Sequence, residues 1–261
     1  MKYYVVNAFT DKSLAGSPAG VCFVEHGLDE HTMRGIAADN KLMETAFVTR
    51  NGDSFDLRWF TPEAELDLCG HATLAAAFAV FSFIDKSKRK ISFNTRSGEL
   101  RVAVKKNIKD LSNLYEMDFP AWELEPVEPT EQMRLAVGGA DVLEAYAARD
   151  LILLLASEDA VAKVAPDFDA LRGLEDYFGV AVTARGRKAD FVSRFFAPNA
   201  GIPEAQVTGS AHCGLIPFWA GRLDKNIMTA LQVSERGGAV FCEHRGDRVR
   251  IGGKARLSRE G

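Results

Sequence analysis

The sequence predicts an α/β protein of two similar lobes related by a pseudo-twofold axis, with a small-ligand cleft between them. Three observations lead there. The first is the stretch RWFTPEAELDLCGHATLAAAFAVFSFI, Arg58 to Ile84, which reads as strand, polar loop and helix. Between Gly70 and Ile84 only His71, Thr73 and Ser82 carry polar side-chain atoms. A helix apolar on every side is a buried one, and this one is too short to span a bilayer, which needs about 20 apolar residues. The second is a partner stretch, RFFAPNAGIPEAQVTGSAHCGLIPFWA, Arg194 to Ala220, with the same order of features. The third is their register. Arg194 lies 136 residues after Arg58 (194 − 58), and Gly209-Ser210-Ala211 lies 139 after Gly70-His71-Ala72 (209 − 70). NTRSGELRV lies over SERGGAVFC at a similar offset. Three segments matched in order indicate an internal repeat, and the unit is too long for a solenoid, whose periods are ~20–50 residues.

The remaining elements follow from local signals. YYVVNAF (3–9) and VCFVEH (21–26) read as strands around a Gly/Pro turn, and 29–39 as a helix with Asp29 as N-cap. ETAFVTR (44–50) and SFDLRWF (54–60) flank Asn51-Gly52, the strongest short hairpin signal. ISFNTRSGELRVAV (91–104) is a second hairpin, and YEMDFP (115–120) a strand. The Glu/Pro-rich AWELEPVEPTEQ (121–132) is the best candidate for a boundary or crossover. LILLLAS (151–157), VAVTARG (180–186), ADFVSRFF (189–196), MTALQVSERGGAVFCEH (228–244) and DRVRIGGKA (247–255) read as strands, and 167–174 as a short helix. The expected lobes are 1–120 and 121–246, with 247–261 a terminal strand returning to the N-terminal lobe.

Composition bounds the function. Of 261 residues, 47% are hydrophobic and 26% charged, an ordinary globular mix, and the net charge of −4 argues against nucleic acid as a partner. The short basic run KSKRK at 86–90 fits a solvated turn closing the buried helix. The start, MKYYVVNAF, enters a strand pattern without the zones of a secretory signal. Cys22, Cys69, Cys213 and Cys242 are scattered and form no metal-ligand spacing. Together these predict a reduced, cytoplasmic protein with no membrane partner.

Four places could carry chemistry. Glu44 sits beside Leu42, Met43, Ala46 and Phe47; desolvation makes a carboxylate more basic and so better able to give and take a proton. The pattern alone favours a solvated Glu at a helix–strand junction. His71 opens the apolar helix, as proton shuttle, substrate donor or simple cap. Free N–H groups at that helix start, around Gly70, can hold an anion. Ser210, in Thr208-Gly209-Ser210-Ala211, is the repeat-mate of that start, with an N-cap as its bland role. Cys69 and Cys213 suggest a two-thiol racemase, but they are not repeat-mates and read better as buried, inert thiols. No G-x-S-x-G elbow, P-loop or dinucleotide fingerprint is present.

These motifs together, AFTDKSLAGSPAGV, ETAFV, RWFTPEAELDLCGHATLAAA, GIPEAQVTGSAHC and RVRIGGKA, resemble the PhzF-like (phenazine biosynthesis F-type) isomerase/epimerase family over nearly the whole chain. The resemblance implies a diaminopimelate-epimerase-like fold in which each lobe is a curved, mostly antiparallel sheet around a central helix. It implies a cofactor-independent isomerase or epimerase without a metal, commonly a homodimer, acting on a small carboxylate-bearing metabolite between the lobes. It assigns Glu44 of E-T-x-F as general acid/base, His71 and Ser210 as further catalytic residues, and Gly70, Thr208, Gly209 and Ala211 as the carboxylate-binding backbone. One position departs from the family pattern: Ala205 stands where an Asp is usual, leaving Glu204 as the adjacent acid. That departure opens the alternative of a metabolite-binding homologue without turnover. Ser17, Lys41 and Met43 also depart from the usual residues.

Overall fold

The computed structural model describes residues 1–106 and 112–260. The chain forms two compact units, one of Met1–Asp118 with Ile251–Gly261 and the other of Phe119–Arg250. Among the described residues no helix is long and apolar enough to cross a membrane.

In the first unit, β1 (Lys2–Thr10) pairs antiparallel with β2 (Ser17–Val24). Helix α1 (Glu30–Asp39) follows, and the Asp29 carboxylate caps it by accepting from the Thr32 N–H at 2.8 Å, which satisfies one of the free donors of a helix start. β3 (Thr45–Asn51) runs parallel to β2 and antiparallel to β4 (Ser54–Phe60). The short β5 (Glu65–Leu66) folds back on β4. The buried helix α2 (Gly70–Ala79) runs into a π-helical turn, Val80–Ile84, closed by the Asp85 N–H donating to the Val80 carbonyl. β6 (Lys90–Thr95) lies parallel to β4, and β7 (Gly98–Lys106) and β8 (Asn113–Pro120) extend the sheet antiparallel.

Helix α2 packs on β1, β2 and β3. Every residue from Gly70 to Ala77 is buried. Its alanines suit this place, because a side chain of one methyl lets helix and sheet approach closely at no rotamer cost. Leu74 is fully buried, a gain of about 2 kcal/mol over exposure. The π turn re-aims the aromatics after α2, and Phe83 stacks on Tyr4 with ring centroids 4.7 Å apart. A Cβ on Gly253 would come within 2.4 Å of the Phe9 ring, so only glycine allows the last strand so close.

In the second unit, β9 (Glu125–Val127) and β11 (Leu151–Leu155) flank β10 (Val142–Ala147), both antiparallel to it. Helices α3 (Glu131–Ala136), α4 (Glu158–Lys163) and α5 (Phe168–Arg172) are short. β12 (Val180–Arg185) is parallel to β11 and antiparallel to β13 (Phe191–Ala197). β13 pairs antiparallel with β14 (Ile202–Ala205) and parallel with β15 (Ile227–Gln232), which turns into β16 (Gly238–Arg245). The succession of pairings from β10 to β16 is that from β1 to β7. Helix α6 (His212–Leu223) carries Trp219, which stacks on Phe191 at 5.7 Å and donates its Nε1–H to Thr183 Oγ1 at 2.9 Å. β17 (Arg248–Glu260) then enters the first unit, and residues 254–260 pair antiparallel with β1.

Several boundaries differ from the sequence expectation. The 121–132 segment holds β9 and Thr130, whose hydroxyl caps α3 by accepting from the Met133 N–H at 3.2 Å. Helices α3 and α4 are too short to show a period. The last strand runs on to Glu260 because β1 offers it an edge.

Candidate active site

Glu44 ends the turn after α1 and immediately precedes β3. Its carbonyl accepts from the Gly20 N–H at 3.1 Å, which fixes the backbone there. The carboxylate is 4% exposed, so the solvated reading of this residue does not hold. Packing around β2 and β3 removes water from a side chain whose neighbours in sequence gave no firm sign of it.

His71 lies in the first turn of α2 and is also buried. Its Nε2 is 3.1 Å from Glu44 Oε2. That is hydrogen-bond distance without hydrogen-bond direction, so both atoms are buried and unpartnered among the described residues. On the other side of the ring, Nδ1 lies 3.6 Å from Cys69 Sγ. Burial alone would push the imidazole down; the negative charge available at Cys69 and Glu44 outweighs it and holds His71 well above its ordinary value. Cys69 occupies the N-cap position of α2 and makes no side-chain cap bond, while its carbonyl accepts from both the N–H and the hydroxyl of Thr73. The first-turn N–H groups, Gly70 included, thus keep no side-chain cap.

The second candidate group is built separately in the second unit. Regular helix α6 begins at His212, not at Ser210; Gly209-Ser210-Ala211 form a turn ahead of it, directly after Thr208, and Ala211 at the N-cap position makes no side-chain cap bond. Gln232, buried at the end of β15, holds this turn. Its Oε1 accepts from the Thr208 N–H at 2.8 Å, and its Nε2 donates to the Ala205 carbonyl at 2.8 Å. The Thr208 N–H is therefore already used.

Ser210 Oγ accepts from Arg149 Nη2 at 3.1 Å. Arg149 also donates twice to Asp150, both bonds at 3.0 Å, and lies between the rings of Trp122 and Phe178 at 4.6 and 4.5 Å. Asp150 is 1% exposed; burial pushes its carboxyl up, and Arg149 opposes that shift. Neither Arg149 nor Asp150 stood out in the sequence. The one signal was a charged pair placed directly against the wholly apolar LILLL strand. Replacing Arg149 with Gln is expected to cost about 1–2 kcal/mol of stability, discounted because the guanidinium is a third exposed, by leaving Asp150 buried with a weaker partner. Asp150→Asn should cost less, a difference that urea titration would show; equal losses would mean that the ion pair adds nothing beyond packing.

Glu204 does not stand in for an acid at Ala205. Arg194 holds it by two bonds of 2.7 and 2.9 Å and stacks over Phe196 at 5.0 Å. The first unit has the same arrangement: Arg58 holds Glu65 at 2.7 and 2.6 Å and covers Phe60 at 5.0 Å. Both arginines brace the loop that leads to a buried helix.

Comparison with known proteins agrees with this architecture. Residues 6–261 match the family model described as phenazine biosynthesis-like protein, PhzC-PhzF. A Pseudomonas aeruginosa protein named as an uncharacterized isomerase is 45% identical over 261 residues, covering 100% of this chain and 97% of the relative. A PhzF-family crystal structure from Enterococcus faecalis superposes with a TM-score of 0.93 at 44% identity, covering 100% of this chain and 98% of the other. A probable proline racemase from Agrobacterium radiobacter K84 shares the fold, with a TM-score of 0.67 at 8% identity and coverage of 100% and 92%. By its full-length family match, its close relatives and its fold, the chain belongs to the phenazine biosynthesis-like PhzC-PhzF family.

Proposed function

We propose that the protein is a cofactor-independent isomerase or epimerase that moves a proton at a carbon near the carboxylate of a small metabolite, and that it works as a homodimer. One observation carries the reading: a buried carboxylate, Glu44, whose Oε2 has no hydrogen-bond partner among the described residues, beside a buried imidazole at a helix start without a side-chain cap. A carboxylate in that state is poised to accept a proton, because no existing bond must be broken first. Glu44 takes the proton from substrate carbon, the electron pair is left in the substrate's conjugated system, and Glu44 returns the proton to the same carbon or another. The positive charge favoured on His71 offsets negative charge that develops on substrate. The free N–H groups at the start of α2, at Gly70 and His71, suit the substrate carboxylate. In the second unit, Ser210 and the Gly209–Ala211 backbone are a separate candidate group for holding a carboxylate. The isomerase named among the relatives supports the reaction class.

The test is incubation in heavy water with a panel of small unsaturated and α-substituted carboxylates. Deuterium incorporation at carbon, followed by NMR, is the expected result. Ligand-induced stabilisation without exchange across the panel would instead favour a metabolite-binding homologue without turnover.

A further inference from the structure

Glu44, Cys69 and His71 each offer a ligand atom, and these atoms lie within 4.8 Å of one another with all three residues buried. We infer that this cluster is a binding site for a zinc-class divalent cation, and that the ion acts as a reversible inhibitor of the proton transfer proposed above. The inference rests on that reading only for the inhibition, not for the binding.

The donor set is one sulfur, one imidazole nitrogen and one carboxylate oxygen. That set suits zinc and its neighbours rather than magnesium or calcium, which call for oxygen donors. The distances agree. A tetrahedral zinc ion with bonds of about 2.3 Å to sulfur and about 2.05 Å to nitrogen has an S···N edge of about 3.6 Å. Cys69 Sγ and His71 Nδ1 are 3.6 Å apart. Glu44 is the third donor of the cluster; its Oε2 lies 3.1 Å from the other ring nitrogen, Nε2, so the carboxylate turns towards the Nδ1 edge to meet the ion. A second observation points the same way: among the described residues Glu44 Oε2 is buried with no hydrogen-bond partner, so the carboxylate gives up no protein hydrogen bond in turning to an ion. A fourth position is left for water, as in open zinc sites.

The consequence for activity is direct. An ion held by Glu44 occupies the lone pairs that would take the substrate proton. A chelator would restore them.

Cobalt(II) is the probe, added to the full chain after chelator treatment and desalting. One equivalent per chain should produce a near-ultraviolet thiolate-to-cobalt charge-transfer band with visible bands of a tetrahedral ion, and zinc should displace it. Cys69→Ser should lose the charge-transfer band, and Glu44→Gln should keep it with binding at least tenfold weaker. Circular dichroism and melting establish that each variant is folded. Absence of the band, or a band that survives Cys69→Ser, overturns the site. Separately, zinc should stop deuterium exchange by the wild type and a chelator should restore it; exchange that proceeds unchanged with the site filled overturns the inhibition. If the metal-free protein shows no exchange with any substrate, the proton-transfer reading fails while the cobalt titration still decides the site.

Discussion

Glu44→Gln should abolish deuterium exchange into substrate, by about 10²–10⁴-fold, the usual contribution of a positioned acid/base. That corresponds to about 3–5 kcal/mol of barrier. The substitution keeps shape and volume and removes only the ability to carry the proton. Stability gives the control. The carboxylate is 4% exposed and its Oε2 lies 3.1 Å from His71 Nε2, so a neutral amide leaves the buried imidazole without its charged neighbour. The melting temperature should therefore fall somewhat, while circular dichroism shows the fold retained as activity vanishes. A purely structural role would give a different pattern, with melting lowered and exchange surviving in the folded variant. Exchange at the wild-type rate in Glu44→Gln would remove Glu44 from the mechanism.

The second large effect concerns pH and the turn before α6. His212 is fully buried and its Nδ1 lies 2.8 Å from the Thr208 carbonyl. A carbonyl only accepts, so Nδ1 carries the proton and the buried, unpartnered Nε2 is bare. Protonating Nε2 would bury a cation without an acceptor. Burial accordingly pushes the imidazole down to about 4, against the opposing pull of the Thr208 bond. The unfolded chain takes up this proton near the ordinary value of about 6.5. Its folded value is lower, so the stabilisation is complete above about pH 6.5 and is lost as pH falls towards about 4. The full loss is about 3 kcal/mol, at 1.36 kcal/mol per unit. Melting curves across this window should show wild type losing stability faster than His212→Gln, which cannot be protonated. A difference between the two that does not change with pH would refute the assignment.

How much of this the sequence shows depends on the range of the cause. Apolar periodicity acts over a few residues, so α2, α6 and most strands can be read directly, as can the Asn51-Gly52 hairpin and the Asp29 cap. Burial of Glu44 depends on β2 crossing beside β3, a contact between segments whose sequences say nothing of each other. The Cys69–His71 contact follows from the turn entering α2, and in sequence Cys69 looks like any other buried thiol. Cys213 matches that expectation, fully buried with its thiol pushed up to about 12. Arg149 and Asp150 are adjacent in sequence, yet their link to Ser210 spans 61 positions and appears only when the second unit is folded. Gln232 is hidden for the same reason. Its role in holding the Thr208 turn belongs to a strand that reads as plain β sequence.

The return of β17 to β1 also bears on biosynthesis. The first unit is interrupted by the whole of the second, so β1 leaves the ribosome early and waits for its partner strand until residues 254–260 are made. Through that interval β1 exposes an unpaired edge, and the Phe9 and Leu74 surface that Gly253 covers stays open. Such an edge invites pairing with other chains. A chain ending at Arg250 should accordingly be cut rapidly by protease within the first unit, unlike the full chain, and adding a peptide of residues 251–260 should slow the cleavage.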